Sequence, residues 1–152
     1  MGGESFDVTI PGAPIGKGRP RATMAGGHAR MYTPAKTRRW EMGAAEFMGE
    51  RYDGEAMDGP LSLEVWALFP RPKRLDCAHK RQPCSCPRGW AGRQPHTSKP
   101  DADNIAKAVC DALEAAGIVA NDATICTLTV RKLYTEHARP PRLRLLLTKE
   151  GR

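Results

Sequence analysis

The sequence has no run of about 18 apolar residues, the length that a membrane-crossing helix needs, so we expect no membrane span. The opening MGGESFDVTI lacks a basic segment followed by an apolar one, and so does not look like a secretory signal. Five cysteines, an odd number, do not suggest a disulfide framework, and reduced thiols in the cytoplasm are the expectation. We therefore predict a single domain over residues 1–152, long enough to bury a core.

Acidic residues are missing between Asp7 and Glu41, where lysine and arginine are frequent. Residues 71–99 form a second basic stretch, with Asp76 as its one acidic residue. The chain carries 24 Lys and Arg against 17 Asp and Glu, and its formal net charge of +7 favours a polyanionic partner, although it could serve solubility alone. The phosphate-contacting residues that we predict are Lys17, Arg19, Arg21, Arg30, Lys36, Arg38, Lys73 and Arg74.

Other residues of these stretches suggest closer contacts with a nucleic acid. Gly16 and Gly18 would let backbone N–H groups approach a phosphate. Trp90 and His96 could stack on unpaired bases, although packing is the simpler role for Trp90. The alternative for the first stretch is a solvated basic loop without a function.

Four soft ligands within ten residues raise the possibility of a structural zinc ion, since zinc takes Cys and His tetrahedrally. They are Cys77, His79, Cys84 and Cys86. Their spacing is tighter than in a usual zinc knuckle, and the alternative is a basic loop with reduced thiols. Cys110 and Cys126 fall in predicted regular structure, where we expect them to pack.

Alternating apolar residues predict strands in FDVTI, GPLSLEVWALFP, TICTLTVRKLY and RLRLLLT. Residues 11–33, rich in Gly and Pro, predict a long loop. A first helix follows, with Thr33 as its cap, Pro34 at its first position, and Trp40, Ala44, Phe47 and Met48 towards the core.

A second helix is predicted where Ile105, Val109, Ala112, Leu113 and Ala116 share one face, with Gly117 as its C-cap. The order β, α, β, α, β, β predicts an α+β domain with a mixed sheet, two helices packed on it, and long basic loops.

Three aspartates border this second helix, in the stretch SKPDADNIAKAVCDALEAAGIVANDATI. Asp103 is the expected N-cap, Asp101 lies two residues earlier, and Lys107 lies one turn into the helix on the face of Asp103. Asp122 follows the helix and can return to the others only if its strand runs alongside the segment that leads into the helix. Carboxylates suit Mg²⁺, and a lysine beside them could stabilise a phosphate under attack.

An ordinary interpretation of these residues stays open on spacing alone. Asp103 could be only a cap, Asp101 a turn residue and Asp122 half of an Asn-Asp turn. Lys107 could be only a helical partner of Asp103 or Asp111. An Asp-x-Asp pattern is common in turns and is by itself weak.

The longer pattern KPDADNIAKAVCDALEAAGIVANDATI resembles the signature of the RusA family of Holliday junction resolvases. That signature is Lys-Pro-Asp-x-Asp-Asn, a Lys four residues after the second Asp, Asp-Ala-Leu, and an Asp before a strand. PGAPIGKGRPRAT, YTPAKTRRWE and FPRPK also resemble family segments in the expected order, so the resemblance covers roughly residues 6–148.

The resemblance implies a homodimeric, Mg²⁺-dependent endonuclease that cuts four-way DNA junctions symmetrically in recombination and repair, with Mn²⁺ as a possible substitute. It implies that Asp101, Asp103 and Asp122 hold the metal and that Lys107 is the essential lysine. Bacterial cytoplasm or a phage-infected host cell is the implied location. A nuclease for other branched DNA and a non-catalytic DNA-binding protein remain the alternatives.

Overall fold

The computed structural model describes residues 4–18, 21–75 and 94–151, with the backbone alone at Arg21, Ala25, Ala29, Arg30, Tyr32 and Arg74. Six strands and two α-helices follow one another in this part of the chain. They are β1 (Ser5–Pro11), β2 (Arg21–Ala25), β3 (His28–Tyr32), α1 (Ala35–Gly49), β4 (Leu61–Phe69), α2 (Ala102–Ala115), β5 (Ile125–Tyr134) and β6 (Arg142–Lys149). No helix within these ranges is both long enough and apolar enough to cross a membrane.

The main sheet has the strand order β1-β6-β4-β5. Strand β6 is antiparallel to both β1 and β4, whereas β4 and β5 are parallel. Parallel neighbours need a crossover connection, and α2 lies in the segment that joins β4 to β5. The sheet is therefore mixed and the fold is α+β, as the order of the predicted elements indicated.

One face of the sheet forms the core with the helices. Strand β4 buries every second residue from Leu61 to Phe69, and strands β6 and β1 alternate in the same way. Leu68 is also buried, although it points to the opposite face. The alternation that predicted the strands therefore also identified the core face of the sheet.

Helix α1 begins at Ala35 and ends at Gly49, with Pro34 in the N-cap position and no side-chain capping bond. The prediction of Thr33 as the cap and Pro34 as the first helical residue was wrong by one position. Ala44 and Met48 are buried as expected, while Trp40 and Phe47 pack partly buried against the core. Thr37, which the apolar pattern did not include, is buried as well.

Residues 11–33 are not one long loop, because they contain a hairpin of β2 and β3. Its two-residue turn is Gly26-Gly27, and both glycines have positive φ, 60° and 79°. Such a turn matches the twist of antiparallel strands and strongly favours glycine. The Gly-Gly pair was thus the sequence signal for a hairpin, and the high Gly and Pro content concealed it.

Candidate active site

Asp101 and Asp103 lie at the start of α2, in different positions from those predicted. Asp101 is the N-cap residue, with extended backbone and no side-chain capping bond, and its carbonyl oxygen accepts from the Ile105 N–H at 3.2 Å. Asp103 lies within the first turn, so its prediction as the N-cap was wrong. Both side chains are exposed and have neither a hydrogen bond nor an ion pair to the described residues. We call this pair of carboxylates the open end of the site.

Asp122 returns to α2 because the chain reverses directly after the helix. Gly117 has φ of 70°, the left-handed conformation that ends many helices and that glycine adopts without strain. The following segment pairs with Met57, whose N–H donates to the Ile118 carbonyl at 2.7 Å. Asn121 then caps a short 3-10 turn, Asp122–Thr124, by accepting from the Ala123 N–H at 2.8 Å. This turn leads into β5.

The reversed chain brings Asp122 against Lys107. Asp122 Oδ2 lies 3.1 Å from Lys107 Nζ, so Asp122 returns to the face of α2 that carries the predicted lysine. Asp103 precedes Lys107 by one helical turn, about 6 Å along the axis, on the same face. Asp122 is thereby brought to Lys107, whereas Asp101, Asp103 and Asp122 do not form a group that could hold a metal ion by themselves, so their joint role as metal ligands stays a prediction.

Lys107 and Asp122 belong to a longer series of alternating charges. Lys107 Nζ also lies 3.0 Å from Asp111 Oδ1, and Asp111 Oδ2 accepts a hydrogen bond from Lys17 Nζ. Lys17 Nζ in turn lies 3.7 Å from Glu41 Oε1 on α1. We call Glu41, Lys17, Asp111, Lys107 and Asp122 the ion-pair chain. It joins the N-terminal loop, both helices and the turn before β5.

The ion-pair chain fixes the protonation of Lys107. Hydrogen bonds to Asp111 and Asp122 raise the pKa of Lys107 far above its usual value. Burial acts to raise the pKa of Asp111, but the hydrogen bonds from Lys17 and Lys107 outweigh it, and the pKa is lowered. Lys107 is therefore a permanent cation at neutral pH and not a base that could accept a proton.

The loop before β2 packs tightly against both helix starts. A β-carbon at Gly16 would lie 2.6 Å from Pro100 Cβ, and one at Gly18 would lie 2.9 Å from Pro34 Cγ. The Gly18 N–H donates to Thr37 Oγ1 at 3.1 Å, which also satisfies this buried hydroxyl. Gly18 is thus required by packing, and its N–H is occupied, so the prediction that it binds phosphate was wrong.

A groove of about 790 Å³ is lined by this loop and by the starts of α1 and α2. Lys17, Lys36 and Lys99 line the groove, and Asp101 lies on its wall. Three lysines around a concave surface favour a phosphate backbone as the ligand. The groove therefore connects the basic part of the surface with the open end of the site.

Hard cations take oxygen ligands, and Mg²⁺ is often held by one or two carboxylates together with water and substrate phosphates. Within residues 4–18, 21–75 and 94–151, no three His, Cys, Asp or Glu side chains lie close enough to form a metal cluster by themselves. The exposed, unpaired carboxylates of Asp101 and Asp103 suit the mode that needs fewer protein ligands. The donor set thus fits Mg²⁺ with water and phosphate as further ligands.

The predicted phosphate-contacting residues are spread over several regions. Lys36, Arg38 and Lys73 are exposed, and Lys36 lines the groove. Lys17 also lines the groove, but unlike these three residues it is only partly exposed and belongs to the ion-pair chain. Arg19 lies outside the described residues, and for Arg21, Arg30 and Arg74 only the backbone is described. For these four side chains the prediction stays a prediction.

His96 does not present a free ring for base stacking. Its ring stacks on Phe69 at a centroid distance of 3.9 Å and meets Tyr134 edge-on at 4.9 Å. Burial, with Lys132 nearby, lowers the pKa of His96. The histidine is a packing residue that anchors the segment before Asp101. Trp90, the other residue suggested for stacking, lies outside the described residues.

The two cysteines of the described part differ from each other. Cys110 is buried, as expected, and burial raises the pKa of its thiol to about 11, so it stays neutral. Cys126 is exposed, with Sγ donating to the Thr124 carbonyl at 3.4 Å, so its prediction as a packing thiol was wrong. The suggested zinc ligands lie outside the described residues, where zinc stays a prediction: Cys77, His79, Cys84 and Cys86.

Asp111 and Glu41 were not predicted as site residues. The sequence identifies Asp111 only as a helical partner of Lys107, since an i,i+4 pair is ordinary on a helix. Its contact with Lys17 joins residues far apart in the chain, and no local pattern indicates such a contact. The Asp-Ala-Leu element of the family signature contains Asp111 and was the one sequence signal that Asp111 could belong to the site.

The chain is similar in sequence to known proteins over most of its length. Residues 11–144 match the family described as Endodeoxyribonuclease RusA. The chain is 31% identical to the uncharacterized protein YqaN of Bacillus subtilis (strain 168) over 136 residues, which cover 90% of this chain and 92% of the relative. It is 23% identical to the crossover junction endodeoxyribonuclease RusA of Aquifex aeolicus (strain VF5) over 131 residues, which cover 86% and 82%. Since the family match covers most of the chain and includes both ends of α2, this protein belongs to the RusA endodeoxyribonuclease family.

Proposed function

We propose that the protein is a Mg²⁺-dependent, structure-selective DNA endonuclease that resolves Holliday junctions by symmetric phosphodiester hydrolysis, in DNA recombination and repair. The return of Asp122 to Lys107, one helical turn from Asp103, carries this proposal in a chain of the RusA family. Local hydrogen bonding explains an isolated Asp-x-Asp turn, but it does not explain why a third carboxylate comes back to the same helix face.

The basic surface would bring the DNA to the site. Lys36 and Lys99 line the groove that ends at Asp101, and a phosphate backbone in this groove would pass the open end. Lysine contacts to phosphates supply affinity that does not depend on base sequence. An enzyme that selects DNA by branching, not by sequence, needs affinity of this kind.

Asp101, Asp103 and Asp122 would hold the metal, with Mn²⁺ able to replace Mg²⁺. A divalent ion bound there would activate water and stabilise charge on the phosphate oxygens. Lys107, kept protonated by Asp111 and Asp122, would donate a hydrogen bond to a phosphate oxygen on which negative charge increases during cleavage. Its exposed side chain leaves the ammonium group accessible to DNA.

We further propose that the protein acts as a homodimer. A four-way junction has approximate two-fold symmetry, and a C₂ dimer presents two identical sites related by the same axis. Each site would then cut one of two equivalent strands. Light scattering coupled to size-exclusion chromatography tests this proposal, and a monomer both with and without junction DNA would contradict it.

Cleavage of a synthetic four-way junction with labelled strands tests the function. The wild type should make paired, symmetric cuts with Mg²⁺ or Mn²⁺, and Asp103→Asn should make none. Asp53→Asn is the control, because Asp53 is an exposed aspartate in the α1–β4 loop that belongs to neither the groove nor the ion-pair chain. Faster cleavage of a flap or a fork than of the junction would mean that the substrate is another branched DNA. Junction binding without cleavage in any divalent metal would overturn the proposal.

A further inference from the structure

Lys17 was predicted as one of many residues that attract DNA, but its surroundings differ from those of the other lysines. Its ammonium group donates to Asp111 and lies 3.7 Å from Glu41, so two carboxylates offset its charge. Lys36 and Lys99, which line the same groove, are exposed and have no ion pair with any described residue. A compensated charge adds little to the long-range attraction of DNA, so Lys17 would act on a bound phosphate only at short range.

The backbone around Lys17 is held on both sides. The Lys17 N–H donates to the Asn104 carbonyl on α2 at 2.8 Å, and the next N–H, of Gly18, donates to Thr37 on α1. Gly16 packs against Pro100 with no room for a β-carbon. Ordering a surface lysine costs side-chain entropy, and a fixed backbone reduces what remains to be ordered. The loop is therefore built to keep this one side chain in place.

Asp111 connects Lys17 to the predicted essential lysine. Its Oδ2 accepts from Lys17, and its Oδ1 lies 3.0 Å from the ammonium of Lys107. Two ammonium groups this near each other would repel without an anion between them. One carboxylate with one lysine on each oxygen therefore determines how far apart the two cations are.

We propose that Lys17 is a second phosphate-contacting cation of the cleavage site and that Asp111 is the positioning residue that sets its distance from Lys107. This inference rests on the proposed function. Each ammonium has three N–H donors. Lys17 donates one to Asp111, and Lys107 donates to Asp111 and Asp122, so donors remain on both. The two lysines would donate to different oxygens of the same phosphate group, where charge increases in the transition state.

Replacement of Lys17 tests the proposal through a split between binding and cleavage. Lys17→Met should lower the single-turnover cleavage rate at saturating junction by about 100-fold, because a transition-state contact is lost. Its affinity for the junction in metal-free buffer should change less than about 3-fold, because the lost charge was already compensated. Lys17→Arg should recover part of the rate. Lys149→Met is the control, since Lys149 pairs with Glu4 on the sheet and belongs to neither the groove nor the ion-pair chain.

Asp111 is tested by two replacements of different size. Asp111→Asn should lower the same rate by about 10- to 100-fold at unchanged metal-free affinity, and Asp111→Glu, which keeps the charge, should lose less. A purely structural link would give a lower melting temperature with a normal rate at saturation, and this outcome overturns the proposal. A wild-type rate for Lys17→Met overturns this inference alone. A wild type that cuts no branched DNA overturns the proposed function and this inference together.

Discussion

The two halves of the candidate site treat their carboxylates in opposite ways. At the open end, Asp101 and Asp103 are exposed and have no ion pair with any described residue. In the ion-pair chain, Asp111 and Asp122 are partly buried and held by lysines. Carboxylates without a protein partner are available to an incoming ligand, whereas paired ones fix the positions of the cations. The difference separates carboxylates that are free to take a ligand from carboxylates that already hold a cation of the protein.

The origin of the two halves in the sequence explains the contrast. The open end comes from one short segment, because Asp101 ends an extended stretch and Asp103 lies in the first turn of α2. A carboxylate there is favoured by the partial positive charge at a helix start and needs no partner. The ion-pair chain combines side chains from the N-terminal loop, α1, α2 and the turn before β5, which only the complete fold brings together.

The largest expected effect comes from removing charge at the open end. The variant Asp101→Asn/Asp103→Asn should lose junction cleavage by more than about 100-fold, because the metal loses two ligands. The free energy of unfolding should fall by no more than about 1 kcal/mol, since neither side chain has a hydrogen bond or ion pair with a described residue and only the helix start favours the charges. Cleavage assays and urea denaturation measure the two quantities on the same preparation. A large loss of stability would show that the open end is structural, and retained cleavage would remove it from the site.

The second effect concerns the loop before β2, which contacts both halves of the candidate site. Gly16→Ala should destabilise the fold by about 1–3 kcal/mol, because the added methyl group would lie 2.6 Å from Pro100 Cβ. Gly43→Ala, in α1 with no atom within 4 Å of the new methyl group, should instead stabilise by about 0.5–1 kcal/mol. Thermal denaturation compares these two replacements of the same chemistry. Equal effects would mean that the loop does not pack against the start of α2.

A third, smaller effect tests the ion-pair chain as a structural element. Asp111→Asn should lower the free energy of unfolding by about 1 kcal/mol, because Lys17 and Lys107 lose the anion between them while some solvent screening remains. Asp53→Asn is again the exposed comparison and should have no measurable effect. An Asp111→Asn protein as stable as the wild type would mean that the chain organises the cations without contributing to stability.

The sequence was informative wherever a local pattern determines the structure. Alternation identified the four strands of the main sheet, and helical spacing identified α2 with Ile105, Val109 and Leu113 buried. The observed helix starts differ from the predicted ones by one or two residues, since a proline or an aspartate can occupy any of several neighbouring positions at a helix start. The pairing of Lys17 with Asp111 was beyond prediction, because it depends on how the loop packs between two helices. The position of Asp122 came from the family resemblance, and spacing alone left it open.

The smallest expected effect concerns how the open end is held in place. His96 packs between Phe69 and Tyr134 with Lys132 nearby, and its pKa lies below the usual 6.5. The unfolded chain therefore binds a proton more readily than the folded one, so stability should decrease as pH falls below about 6.5. His96→Phe should keep the stacking and reduce this decrease, measured as the free energy of unfolding between pH 7.5 and 5.5. An unchanged pH dependence in His96→Phe would mean that another group is responsible. The anchoring of the segment before Asp101 would then be assigned to its two backbone hydrogen bonds. In these the His96 N–H donates to the Lys132 carbonyl, and the Tyr134 N–H donates to the Gln94 carbonyl.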